Sequence, residues 1–125
     1  MARDTDRSKR KFTSKKYRSF HKKRKKDLER PPIETKIGKE RKKNQRTWGG
    51  NHKLKLFSST HINVTDPSTH KTQKVKIIDF EENKATKDFN RRHILTKGAI
   101  IETELGKVKI TSRPGQHGIL NGILI

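Results

Sequence analysis

From Arg7 to Lys26 the chain carries 12 basic residues and no acidic one, and Lys22-Lys23-Arg24-Lys25-Lys26 runs unbroken. Such a stretch has too little apolar surface to offset its ordering entropy, and its charges repel one another. Alone in water it is an arm rather than a packed domain. Three aromatic residues, Phe12, Tyr17 and Phe20, are spaced through it, and Pro31-Pro32 closes it with a stiff extended step. Rings among cations either stack on exposed bases while the charges hold phosphates, or pack back onto the body of the protein. The residues leave both readings open.

The composition changes after Gln45. The first 45 residues hold 8 of the 33 apolar residues and the last 80 hold 25. In the second part, short alternating runs are separated by turns. Leu54 and Leu56 alternate with Lys53 and Lys55, Ile62 and Val64 precede the turn-forming Asp66-Pro67-Ser68-Thr69, and Val75 and Ile77 alternate with Lys74 and Lys76. Residues 85–92 suit a helical turn or a loop. Residues 98–104 and 107–111 then read as a hairpin turning at Leu105-Gly106, with Gly106 at positive φ, and the last strand is residues 119–125. The expectation is an all-β fold: a small antiparallel β-barrel of about six strands with an extended basic N-terminal arm. Residues 1–45 form the arm, extended or disordered when free, and residues 46–125 the barrel body. Closure is favoured because it removes the edges that a short sheet leaves exposed.

Thirty-three Lys and Arg against 13 Asp and Glu give a formal charge of +20. Such a chain seeks a polyanion, and nucleic acid is the abundant soluble one. No cysteine is present, which excludes disulfides and thiolate metal sites. No apolar run is long enough to span a bilayer, and no apolar segment follows the basic N-terminus as a secretory signal requires.

Enzymatic and metal readings find little support. His52, His61 and His70 fall in different strands or turns, with no His-x-x-x-His pair beside them. Glu102 and Glu104 share a strand face, but lie among lysines and read as local charge balance. No nucleophile elbow and no phosphate loop occurs. The segment Arg113-Pro114-Gly115-Gln116-His117-Gly118 looks more like chemistry. Its Pro-Gly pair suits a type II turn, and the turn leaves Arg113, Gln116 and His117 to face phosphates or 2′-hydroxyls. Neither a cofactor nor a metal is expected.

In order along the chain, Arg10-Lys11-Phe12-Thr13, Lys23-Arg24-Lys25-Lys26, Arg30-Pro31-Pro32, Thr35-Lys36-Ile37-Gly38, Gly49-Gly50-Asn51, Asn63-Val64 with Asp66-Pro67, and Thr111 to Gln116 resemble one family. This is the eukaryotic-type ribosomal protein S-eight family of the small ribosomal subunit, in its archaeal branch. The chain departs from the family where Thr13-Ser14-Lys15 replaces Thr-Gly-Gly and where His117 replaces Asp. The resemblance implies a structural constituent of the small subunit, cytoplasmic, that binds small-subunit rRNA beside neighbouring ribosomal proteins. It implies no membrane, no small-molecule substrate and no homo-oligomer. The residues expected to contact RNA are Arg7, Lys9, Arg10, Lys11, Lys15, Lys16, Arg18, Lys22, Lys23, Arg24, Lys25, Lys26 and Arg30 in the arm. Lys36, Arg41, Lys42, Lys43 and Arg46 follow, then Arg113, Gln116 and His117. A ribosome-assembly factor of the same family and a DNA-compacting protein are the alternatives.

Overall fold

The computed structural model describes residue 8, residues 10–18, residue 24 and residues 30–125. The chain forms two compact units, Met1–Pro32 and Ile33–Ile125.

In the first unit, the described residues make a small reverse turn. Arg10 and Lys16 form an antiparallel bridge, the Lys11 N–H donates to the Lys15 carbonyl at 2.8 Å, and the Arg10 guanidinium donates to the Ser14 carbonyl at 2.9 Å. Ser14 takes φ 64°, a left-handed conformation that suits the glycine of the resembled family better than a serine. Phe20 lies outside the described residues.

The second unit contains eight strands and two short helices: β1 Lys36–Ile37, β2 Arg41–Arg46, β3 His52–Ser59, β4 His61–Thr65, β5 Thr72–Glu82, α1 Lys87–Arg91, β6 Ile100–Thr103, β7 Gly106–Ile110, α2 Pro114–His117 and β8 Asn121–Leu124. Strands β4-β5-β6-β7-β8 close into a barrel, and β1-β3-β2 form a separate three-stranded sheet. The expected small barrel is therefore present with five strands. Its closing pair is parallel, with Asn63 opposite Asn121 and Val64 opposite Gly122, rather than antiparallel. A second parallel pair joins β1 to β3. Such pairings leave no trace in a one-strand alternation pattern.

Alternation fills the barrel. Ile62 and Val64 of β4, Val75 and Ile77 of β5, Ile101 of β6, and Val108 and Ile110 of β7 are buried, while Lys74, Lys76, Lys107 and Lys109 point outward. In β5 the register shifts after Ile77, so Ile78 is exposed and Phe80 returns to the core. The closing strand needs a glycine at Gly122. A Cβ there would lie 2.4 Å from Val108 Cγ1 and 3.0 Å from the Lys109 carbonyl oxygen, so a side chain would hold the seam open.

Strand β1 and all of β2 but Arg46 fall on the arm side of the sequence boundary, yet both strands pair with β3 in the body. Residues 41–46, Arg-Lys-Lys-Asn-Gln-Arg, have no apolar alternation to announce a strand. Their pairing depends on backbone hydrogen bonds to β3, whose buried Leu56 anchors the sheet to the core. Thr35 fastens the same junction. It is fully buried, its Oγ1 donates to the Leu56 carbonyl at 2.7 Å, and its own carbonyl accepts from the Leu95 N–H at 2.8 Å.

The loop at Pro114 is a helical turn rather than the type II turn expected. Pro114 is its first residue, where a missing N–H costs nothing. The left-handed residue is Gly118 (φ 75°), whose N–H donates to the Pro114 carbonyl at 3.0 Å, while Gly115 does not take a positive φ. The other turns match the expected ones. Gly106 takes φ 124°, the Asp66 carboxylate accepts from the Ser68 N–H at 2.8 Å and the Thr69 hydroxyl at 2.8 Å, and α1 falls within residues 85–92.

Candidate nucleic-acid interface

Strands β2 and β3 make a two-stranded ribbon. Arg46 stands opposite His52 at its far end, and the turn Thr47–Asn51 joins the two strands, closed by a 2.7 Å bond from the Thr47 N–H to the Asn51 carbonyl. Register divides the ribbon into two faces. Leu54 and Leu56 belong to the face turned toward the body. There α2 rides so close to β3 that a Cβ on Gly118 would lie 2.7 Å from Leu54 Cβ. The opposite face carries Lys43 across from Lys55 and Gln45 across from Lys53. Lys43 and Lys53 are exposed and Lys55 is half-buried.

Two like charges directly across an antiparallel pair are destabilising. The chain nevertheless has no acidic residue between Arg41 and Thr65, so no carboxylate on the ribbon relieves that repulsion. The body's acids lie elsewhere and are largely engaged. Arg92 pairs with Glu34 and with Asp88 at 3.2 Å, and its guanidinium is held above its ordinary pKa first by the bond to Asp88. Lys107 pairs with Glu81, whose carboxylate raises the ammonium pKa. Glu40 pairs with Lys42, and the Lys42 ammonium lowers the Glu40 carboxyl below the usual range.

The structure sorts the expected RNA-contacting residues. Arg10, Lys11, Lys15, Lys16, Arg18, Arg24 and Arg30 are exposed in the first unit, and Lys11 Nζ sits 5.6 Å over the Tyr17 ring. Arg7, Lys9, Lys22, Lys23, Lys25 and Lys26 lie outside the described residues. In the body, Lys36 is exposed on β1, and Arg41, Lys42, Lys43 and Arg46 are exposed on β2. Arg41 lies 4.9 Å over the Phe57 ring, and Lys42 is already partnered by Glu40, so Lys43 and Arg46 are the freer cations of β2.

Arg113, Gln116 and His117 are exposed at α2, on the Leu54 side of β3, and so are not gathered with Lys43, Lys53 and Lys55. The His117 Nδ1 accepts weakly from the Arg113 N–H at 3.4 Å, and in that tautomer Nε2–H is left to donate outward. Lys53, Lys55, His52 and Trp48 were not among the residues expected from sequence to contact RNA. The Lys53-Leu54-Lys55-Leu56 alternation contained the signal, because the outward lysines of a half-buried strand become a site once a second basic strand pairs beside them. Among the described residues, no three His, Cys, Asp or Glu side chains gather to hold a metal, and no helix is long and apolar enough to cross a membrane.

A family model for Ribosomal protein S8e matches residues 4–125. The chain belongs to the Ribosomal protein S8e family. The small ribosomal subunit protein eS8 of Nanoarchaeum equitans (strain Kin4-M) is 55% identical over 104 residues, covering 83% of this chain and 82% of the relative. That of Methanococcus aeolicus is 50% identical over 119 residues, covering 94% and 93%. That of Methanospirillum hungatei JF-1 is 46% identical over 119 residues, covering 95% of each. The archaeal small-subunit resemblance read from Arg10 to Gln116 is thereby borne out, and the S8e-family chain is a ribosomal protein by descent.

Proposed function

We propose that this S8e-family chain is a structural constituent of the small ribosomal subunit, in the cytoplasm, that binds small-subunit rRNA and stabilises its fold. The observation that carries the proposal is the ribbon. Lys43 and Lys55 are set against each other with no acid from Arg41 to Thr65, while Glu34, Glu81 and Asp88 pair with cations outside the ribbon. Phosphates are the ligand that turns this arrangement from repulsive to attractive, by releasing condensed counterions. Residues 1–32 add 14 of the 33 lysines and arginines, further cations for phosphates. Arg113, Gln116 and His117 contribute donors from a second face. The chemistry needed is positional and electrostatic, with no reaction, cofactor or small-molecule substrate. Neighbouring small-subunit proteins are its other partners.

The test is competitive binding of the full chain to small-subunit rRNA at two salt concentrations, with duplex DNA of equal phosphate content as competitor. Preference for rRNA by orders of magnitude at the higher salt supports the reading. Equal competition that fades together for both polymers reduces the interaction to charge alone and refutes it. Co-sedimentation with finished small subunits in high salt separates a constituent from an assembly factor that leaves the mature particle.

A further inference from the structure

The only tryptophan of the chain, Trp48, stands at the tip of the β2–β3 ribbon and is 85% exposed. Leaving a large aromatic side chain in water forgoes the stabilisation of its burial. Among the described residues, none covers the ring. The tip is nonetheless built with care. The Thr47 N–H and Asn51 carbonyl close it at 2.7 Å, and the Asn51 side-chain amide donates to the Trp48 carbonyl at 3.3 Å. Gly49 (φ 71°) and Gly50 (φ 76°) take the left-handed conformations that so tight a turn demands. The tip ends at Asn51, which lies three residues from Leu54, where Gly118 packs on β3, a distance along the strand of roughly 10 Å at about 3.3 Å per residue.

Its surroundings specify a ligand. Arg46 and His52 form the cross-strand pair beneath the tip, Lys53 follows, and all three are exposed. With no acid within the ribbon, a basic protein surface would be repelled and a phosphate backbone attracted. Bases within a duplex are already stacked on each other, whereas an unpaired base offers a free face to a flat ring.

We propose that Trp48 is a base-stacking residue: it receives an unpaired nucleobase of RNA on its ring while Arg46, His52 and Lys53 hold the flanking phosphates. This rests on the RNA-binding reading above and adds to it a specific residue and an unpaired nucleotide as its target.

Because the chain has a single tryptophan, indole emission reports on Trp48 alone in the full-length protein. Titration with protein-free small-subunit rRNA should lower that emission at least two-fold and shield it from acrylamide. Trp48→Ala should weaken rRNA binding about 5- to 150-fold at fixed salt, the equivalent of 1–3 kcal/mol for one stacked base. Its salt dependence should be unchanged, since stacking releases no counterions. Trp48→Phe should recover part of the loss. Circular dichroism of both variants should match the parent, the tip being outside the core. Tight rRNA binding with emission still bright and acrylamide-accessible overturns the stacking role, and so does Trp48→Ala binding as tightly as the parent. Quenching that appears only after other subunit proteins are added assigns the tip to a protein and also overturns it. Failure of the parent chain to prefer rRNA in the competition experiment defeats the RNA-binding reading itself, a different result from any of these.

Discussion

Gly118→Ala tests whether the close approach of α2 to β3 fixes the ribbon on the barrel. Two costs are involved, and the structure separates them. The first is conformational: Gly118 has φ 75°, where an L side chain costs about 1–2 kcal/mol. The second is contact. An added Cβ would lie 2.7 Å from Leu54 Cβ, 3.1 Å from the Leu54 carbonyl carbon and 3.2 Å from its oxygen. Carbon atoms rest at about 3.5–4.0 Å, and the neighbours here include backbone of a paired strand, so β3 or α2 must shift at a cost of about 1–3 kcal/mol. The sum is about 2–5 kcal/mol. Gly98→Ala is the control, because Gly98 has φ 88° with nothing within 4 Å of the added Cβ. For a body of this size, 1 kcal/mol moves the melting midpoint by roughly 4–8 °C. Calorimetry should therefore show Gly118→Ala melting well below Gly98→Ala, which carries the conformational cost alone. Equal midpoints for the two variants would mean that the Leu54 contact yields freely, and the argument that α2 clamps the ribbon would fail.

Lys55→Gln should divide stability from binding: removing one member of the Lys43–Lys55 pair raises the melting midpoint slightly while weakening rRNA binding and lowering its log–log salt slope by about 0.7–0.9. A variant that is both less stable and unchanged in slope would contradict the assignment of that face. Asp66 has its pKa lowered first by the Ser68 N–H and then by the Thr69 hydroxyl, so its contribution is present above the unfolded-state pKa and is lost as pH falls through the folded one. Midpoints measured from pH 5 to pH 2 should accordingly fall less for Asp66→Asn than for the parent below about pH 4, and parallel curves would refute the turn's role. Deleting residues 1–30 should leave a folded body, since Ile33–Ile125 is compact on its own, yet flatten the salt dependence of RNA binding. An unfolded remainder, checked by circular dichroism, or an unchanged slope would count against the arm.

The barrel was readable because its strands obey a local rule. Ile62 with Val64, Val75 with Ile77, and Val108 with Ile110 alternate against polar neighbours, and burial follows that parity. What was not readable depends on partners distant in sequence. Arg41–Arg46 has no apolar parity, so only its pairing with β3 makes it a strand. The parallel closure of β4 on β8 depends on Gly122 meeting Val64 from 58 residues away, which no local pattern announces. The Pro114–Gly115 pair misled for a related reason. Proline suits the first position of a helical turn as well as of a type II turn, and the packing of Gly118 on Leu54 decides between them. The candidate site was half visible in the same way. The arm's charge is written in its composition, whereas the Lys43, Lys53 and Lys55 face exists only when two strands lie side by side.

That difference bears on how fold and function are connected. A strand pair selected for stability alone would set Glu or Asp opposite Lys43, and the body has such acids available. It places Glu81 beside Lys107 and Glu34 and Asp88 around Arg92 instead. Only Glu40, at the ribbon's base, neutralises a cation there, and that cation is Lys42, on the face turned toward the body. The outward face is thus left uncompensated, from the Lys43–Lys55 pair near the barrel to Lys53 opposite Gln45 toward the tip. The barrel tolerates this because its own core, from Ile62 to Leu120, is complete without the ribbon's charged half, and Thr35 and Gly118 tie the ribbon down through Leu56 and Leu54. Rigid attachment at one end and unrelieved positive charge at the other suit a strand pair whose missing partner is a polyanion, and they put the cost of that charge where the core does not bear it.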